Sequence, residues 1–508
     1  MGRRGSSAQI KAGRKELRRM RERLRERQRA CALKPSVKPT IDNGLCEYES
    51  AEEEQEERQQ AVIDKVAVLR GLLPTVLCRL ARIPDPRQPK KIKHKLTVLM
   101  LYGILAFVLH TSSRREANRE MSRPVFKDNL MLLFPDLQSI PHHDTLMRLL
   151  DRIEVEQIQE ALIEMVRSMI GKRKFHRYLI AGHYPIAIDG TQKMAGYTLW
   201  DAQYLQRNVG DESNRREQYY VEVVEANLAL GNGMSIPLMS EFLDYRQGDG
   251  GREKQDSELR AFYRLAERLR RAFPRLPILL LLDGLYPVGP AMEVCRKYRW
   301  EFMIVLQDNS LPRVWEEYRL LKAIGPVEEH RMTWGDREQR FHWVNDIEHE
   351  YEAKGGSRTV TVHLVVCEET WETVDEKSAQ IVRKTSRHAW LSSVPLSKDN
   401  VHLRCNLGAR HRWAIESGIL IEKQYGYRYE HCFAYSWSAM KGYHYLMRIA
   451  HALNVVVQYS TKFTKLVRKL GRQGLIRFIR GTLSGPWLDE QQVRRALERP
   501  RQLRIADT

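Results

Sequence analysis

The chain has 508 residues and a mass of 59.6 kDa, with 84 Lys and Arg against 64 Asp and Glu, a formal charge of +20 and a pI near 9.6. That length allows roughly two or three domains with sizeable cores, and 43% hydrophobic with 29% charged residues excludes the disordered, collagen-like and membrane classes. The surplus of cations calls for a polyanionic partner.

Residues 1–30 carry 12 basic residues and three Glu, a net +9. The run is compatible with a helix but has little apolar surface to bury, so it reads as a disordered basic arm. From Glu47 to Glu57 there are seven acids and no base, an acidic block able to solvate a linker or shield the basic arm. No apolar signal-peptide core follows Met1, so a secreted protein is not expected. Seven cysteines are scattered without a C-x-x-C pair, which suggests neither a disulfide framework nor a structural zinc site and fits a reducing cytosol.

Residues 61–180 read as a helical domain: Ala61–Leu80, a break at Pro84–Arg87, an apolar helix from Leu96, and a helix from Thr145 to Ile170 with Asp144 as its N-cap. The apolar stretch Leu96–Leu109 is too short to span a bilayer. His142 and His143 stand where capping and packing groups belong.

The texture changes at Tyr184. Strands are predicted over 185–189, 219–230 and 237–242, then a glycine loop at Gly248–Gly251, a helix over 256–273 with Asp256 or Ser257 as cap, a fully apolar strand over 277–283, a helix over 290–298 and a strand over 302–306. The glycine loop lacks the Gly-Lys-Ser/Thr of a phosphate-binding loop. Residues 321–387 alternate as a β-rich insertion, Ala389–Ser393 is a last short strand, and helices follow from about Ala409 to Tyr425 and from Ser438 to Tyr459. Residues 462–504 again carry net +9, with apolar spacing at Leu466, Leu470, Leu475, Ile479 and Leu483 that predicts amphipathic helices with basic outer faces. The positive charge is therefore concentrated at the two ends, where it suits phosphate-backbone contact.

Asp189 and Asp283 each follow an apolar strand and precede a glycine. The carboxyl ends of strands in an open α/β sheet are where sites are built, and two acids held there repel unless a cation separates them, which favours Mg²⁺. The plainer reading is that each caps a turn. Arg412, Glu416 and Lys423 are spaced to share one helix face, either as a surface ion-pair ladder or as a site, with Trp413 and Leu420 expected on the buried face.

These residues resemble the DDE transposases of bacterial insertion sequences, in the branch whose third acid lies in a Y-x2-R-x3-E-x6-K signature. The matching stretch is Ala409-x2-Arg412-x3-Glu416-x6-Lys423, with Ala409 in the tyrosine position. Ile188-Asp189-Gly190-Thr191 is similar to the first acidic motif of that family and Leu282-Asp283-Gly284-Leu285-Tyr286 to the second. The resemblance implies an α/β fold: a ribonuclease H-like catalytic core (181–320 and 388–460) with a β-strand insertion (321–387), preceded by the arm (1–60) and a DNA-end-binding helical domain (61–180), and followed by basic helices (461–508).

It further implies cut-and-paste DNA transposition. Asp189, Asp283 and Glu416 would hold two Mg²⁺ ions, replaceable by Mn²⁺, for in-line phosphoryl transfer, and Arg412 and Lys423 would hold transposon-end phosphates. The implied partners are double-stranded DNA, as terminal inverted repeats and target, and a second copy of the chain on paired ends, with no membrane. The implied setting is the bacterial cytoplasm, on the nucleoid. Trp334 and Trp343 of the insertion would either stack on an unpaired base or pack between strands. Asp189-Gly190-Thr191 also matches part of a haloacid-dehalogenase-like phosphatase motif, but its nucleophile position is Ala187, which excludes that chemistry. The alternative is a catalytically silent, transposase-derived DNA-binding protein.

Overall fold

A computed structural model describes residues 7–34, 44, 46–245, 256–324, 328–353, 355–499 and 502–506. The arm read as disordered is helical: α1 spans Ser7–Ala30, with Arg27 and Arg29 in its last turn, where cations complement the helix dipole. The acidic block opens the next helix, α2 (Ala51–Leu80), ten residues earlier than the apolar pattern suggests. The Ser50 hydroxyl accepts from the Glu53 amide at 3.2 Å, and Glu52, Glu53 and Glu54 fill the first turn.

Four short helices follow: α3 (Leu96–Val108), α4 (Arg114–Met121), α5 (Pro124–Leu133) and α6 (His143–Leu150); α7 (Glu156–Gly171) ends the series. The single helix expected over 145–170 is therefore broken at 151–155. Its cap is His142, whose Nδ1 accepts from the Asp144 amide at 3.2 Å, and not Asp144.

Strands β1 (Tyr184–Gly196), β2 (Leu205–Val209), β3 (Arg216–Ala229) and β4 (Ser235–Phe242) precede α8 (Glu258–Ala272), which Ser257 caps. The polar β2 has no sequence signal. The glycine loop at 248–251 lies outside the described residues. Next come β5 (Ile278–Leu282), α9 (Gly289–Tyr298), β6 (Glu301–Val305), α10 (Pro312–Ile324), β7 (Glu328–Trp334), β8 (Arg337–Ala353), β9 (Gly356–Val374) and β10 (Ile381–Ser392). The short strand expected at 389–393 is the end of the longer β10. The chain closes with α11 (Val401–Cys405), α12 (Trp413–Gln424), α13 (Trp437–Gln458), α14 (Thr464–Ser484) and α15 (Glu490–Glu498). Among the described residues no helix is long and apolar enough to cross a membrane.

The chain is mixed α/β and divides into two compact units. One comprises 1–40 and Leu280–Arg410; within it the strands run in the order β6-β10-β9-β8-β7, joined antiparallel from β6 to β7. Helix α1 lies along β9, with Arg27 paired to Glu372 of that strand and Arg21 to Glu376 in the turn beyond it, both 2.9 Å. The other comprises 41–279 and 411–508. Here β3 pairs antiparallel with β1 along one edge and with β2 and then β4 along the other. Its central element is α13, buried along nearly its whole length against α3, α7, α6 and β4, as expected of a helix apolar on all sides. Helix α14 buries Leu466, Leu475, Ile479 and Leu483 and leaves Lys462, Lys465, Arg468, Arg472 and Arg477 in or beside it exposed. The acidic block engages this helix: Lys469 pairs with Glu47 at 3.1 Å.

Candidate active site

Asp189 lies on β1, directly after the fully buried Ile186–Ile188, and is itself half-buried. It stands opposite Glu225 of β3, and residues paired across an antiparallel ladder project to the same face. That face is the one α12 covers, since Gly418 of α12 rests so close to Asn227 that a Cβ would come within 3.1 Å of Nδ2; Asn227 is two positions along β3 from Glu225 and so shares its side. Asp189 and the helix bearing Glu416 thus occupy one side of β1 and β3. Gly190 turns to the other side, where the Glu258 carboxylate of α8 presses so closely that any side chain would collide with it.

Helix α12 begins at Trp413, after a 3₁₀ turn over Ala409–Arg412. Arg412 pairs with Glu416 at 2.6 Å, its side chain largely buried and that of Glu416 one-third exposed. Lys423 pairs instead with Glu430 at 3.0 Å and lies 5.9 Å from the centre of the Tyr429 ring. The buried face consists of Ile415, Gly418, Ile419 and Glu422. Trp413 and Leu420, expected inside, are 63% and 45% exposed.

Asp283 follows β5 and is half-buried; its Oδ1 accepts from the Leu285 amide at 2.9 Å, the self-capped turn of an Asx motif. Asp189, Arg412, Glu416 and Lys423 belong to one compact unit and Asp283 to the other.

A group with no sequence signal lies beneath α12. Arg448 of α13 donates to both carboxylate oxygens of Glu422 at 3.0 and 3.1 Å, to Asn227 Oδ1 at 2.6 Å, and pairs with Glu225 at 3.1 Å. His451 Nδ1 lies 2.6 Å from Glu422, the Tyr429 hydroxyl donates to Glu225 at 2.8 Å, and Ser240 donates to Glu225 at 2.6 Å. Lys193, the unpaired residue of a bulge in β1, donates to the Tyr429 carbonyl. All of these side chains are buried. Burial alone would raise the Glu225 carboxyl, but Arg448, His444 and the Ser240 hydroxyl bring it down to about 2. Arg448 and His451 likewise outweigh burial and hold Glu422 low. Burial pulls Lys193 down to about 8, against the attraction of Glu422 and Glu225.

Asp189 and Glu416, both intermediate in burial, carry carboxylate oxygens, the hard donors Mg²⁺ takes. His142, His143 and Asp144 also bring ligand atoms within 4.8 Å of one another. Nitrogen donors suit zinc better than Mg²⁺, but His142 Nδ1 is used in capping and Arg114 lies 3.6 Å from Asp144. Of the insertion tryptophans, Trp343 is 2% exposed, with Nε1 on Glu328, so it packs and cannot stack on a base. Trp334 is half-buried, 5.3 Å beneath the Arg410 guanidinium.

Residues 77–166, from the end of α2 into α7, match the family model described as DDE_Tnp_1-associated, which associates this region with DDE transposases and supports a transposase. Among curated proteins none matches the chain. A cryo-EM structure of a piggyBac transposase synaptic complex with hairpin DNA aligns over 87% of this chain and 82% of its own, at 12% identity and a TM-score of 0.34, too slight a likeness to define a common fold.

Proposed function

We propose that this protein is a DDE transposase that cuts DNA at transposon ends and joins them to a target, with a ribonuclease H-like catalytic core. The observation that carries this reading is the match of residues 77–166 to a domain associated with DDE transposases; the spacing of Asp189, Asp283 and Glu416 and the exposed basic residues of α14 agree with it.

In this reading Asp189, Asp283 and Glu416 hold two Mg²⁺ ions, or Mn²⁺ in their place. Bound there, the ions supply activation of the attacking oxygen and stabilisation of the leaving one. Arg412 and Lys423 grip end phosphates, the first as a planar fork and the second as a point charge. Because Arg412 is paired with Glu416, engagement of a phosphate frees the carboxylate for its ion. Exposed cations of α14 hold the duplex through its backbone, two copies of the chain act on paired ends, and the work is done on the nucleoid in a bacterial cytoplasm.

The test is cleavage of duplex DNA carrying the element's terminal inverted repeats, with Mg²⁺, by the wild type and Asp189→Ala. Cleavage by the wild type alone is expected; equal activity would refute the mechanism. A wild type that binds the ends and never cuts them would establish the silent DNA-binding alternative.

A further inference from the structure

The charged group under α12 is expensive. Desolvating an ion costs several kcal/mol even after relaxation, and a well-packed apolar cluster of the same volume is often no less stable. Here two glutamates, an arginine and a lysine are sequestered together, so the group calls for an explanation other than stability.

Its geometry supplies one. Helix α12 has only three turns, and of its side chains just Ile415, Ile419 and Glu422 are buried on β1 and β3, with Gly418 in contact between them. Two aliphatic side chains resist separation but permit sliding and rotation. A buried guanidinium that holds a carboxylate through one nitrogen and a neighbouring strand through the other adds charge-assisted hydrogen bonds that fix how the two stand relative to each other. One terminal nitrogen of Arg448 donates to both oxygens of Glu422 while the other holds Asn227 and Glu225 on β3, and His451 holds Glu422 from the next turn of α13. Glu225 in turn stands opposite Asp189, and Lys193 ties the same β1 to the segment following α12 through Tyr429. The ionic group therefore joins the strand carrying Asp189 to the helix carrying Glu416.

We propose that Glu422 is a positioning residue: clamped by Arg448 and His451, it sets the height and rotation of α12 over β1 and β3, and so where Glu416 stands relative to Asp189. The consequence for metal and DNA chemistry rests on the transposase reading; the fixing of α12 does not.

The experiment uses the full chain with Glu422→Gln, which keeps shape and loses charge. Amide exchange across Trp413–Gln424 is expected to speed up by about 10-fold or more while α13 is unchanged. Mn²⁺ affinity, followed by the electron paramagnetic resonance of free ion, and cleavage are expected to fall by about 10–100-fold, the loss typical of removing an outer support of a metal ligand. Affinity for end DNA should stay within about twofold, as the phosphate grip is untouched. Unchanged exchange in α12 would overturn the proposal, as would faster exchange with wild-type Mn²⁺ affinity and cleavage. If Glu422→Gln does not fold, the apolar pair Glu422→Met with Arg448→Met is read by the same criteria. A wild type that neither binds Mn²⁺ nor cleaves would defeat the transposase reading, while the exchange result would still decide whether Glu422 fixes α12.

Discussion

Arg412 and Glu416 form an ion pair across one turn at the start of α12, 2.6 Å apart, with the arginine the more buried partner. A carboxylate so held is occupied by its arginine until that arginine meets another anion. In the proposed transposase a phosphate of the DNA end would be such an anion, and the pair would couple arrival of substrate to release of Glu416. Glu416→Lys is expected to abolish cleavage and to retard end DNA in a mobility assay as the wild type does. A Glu416→Lys protein that still nicks end DNA would disprove its role.

Lys65 of α2 is buried with no ion pair among the described residues, and burial lowers it to about 7. The unfolded chain keeps this proton up to about pH 10.4. Between those values the unfolded state binds more protons than the folded one, so stability rises as pH climbs from 7 and the penalty is complete below it. Lys65→Met is expected to stabilise the protein at pH 7 by about 1–4 kcal/mol and to remove this part of the pH slope in denaturant titrations. A destabilised variant would show that Lys65 has a partner it needs.

Lys465 and Arg468 of α14 are exposed, and in the proposed transposase they would meet phosphates rather than bases. Each change to Ala is expected to weaken binding to specific and random duplex alike and to reduce the slope of log affinity against log salt by about one. Loss of affinity for the end sequence alone would instead mark base readout.

Trp343 and Trp334 should separate by stability. Trp343, 2% exposed on β8, is expected to cost about 3–5 kcal/mol when truncated to Ala. Trp334, half-buried under Arg410, should cost about 1 kcal/mol, the scale of a cation–π contact. Equal losses in chemical denaturation would refute the assignment of Trp343 to the core.

Strands β1, β3, β4, β5 and β6 and helix α13 were legible because each carries its own period and stop signals. The network beneath α12 was not, because its members lie far apart in the chain: Arg448 meets Asn227 across 221 positions. On β3, Glu225 shares a strand face with Val221 and Val223, and the partners that let a carboxylate lie buried there, Arg448 from α13 with Tyr429 and Ser240, come from distant parts of the chain. Arg448 also explains the reversal in α12. Apolar side chains surround that helix, and hydrophobicity alone selects Trp413 and Leu420 for burial. The buried Glu422 turns it instead, leaving both exposed. Of the candidate site, the residue types and their spacing were legible, whereas the present attachments of Arg412 and Lys423 were not.

Each compact unit is assembled from two separated stretches of chain, which imposes an order on biosynthesis. Arg27 of α1 finds its partner Glu372 only 345 residues later. At about 5–20 residues per second that is a wait of roughly 20–70 s for a strongly basic segment on the ribosome. Neither unit can be released whole by a single proteolytic nick, and a chain terminated near residue 280 lacks α12 and α13 and with them the core onto which β1 and β3 pack.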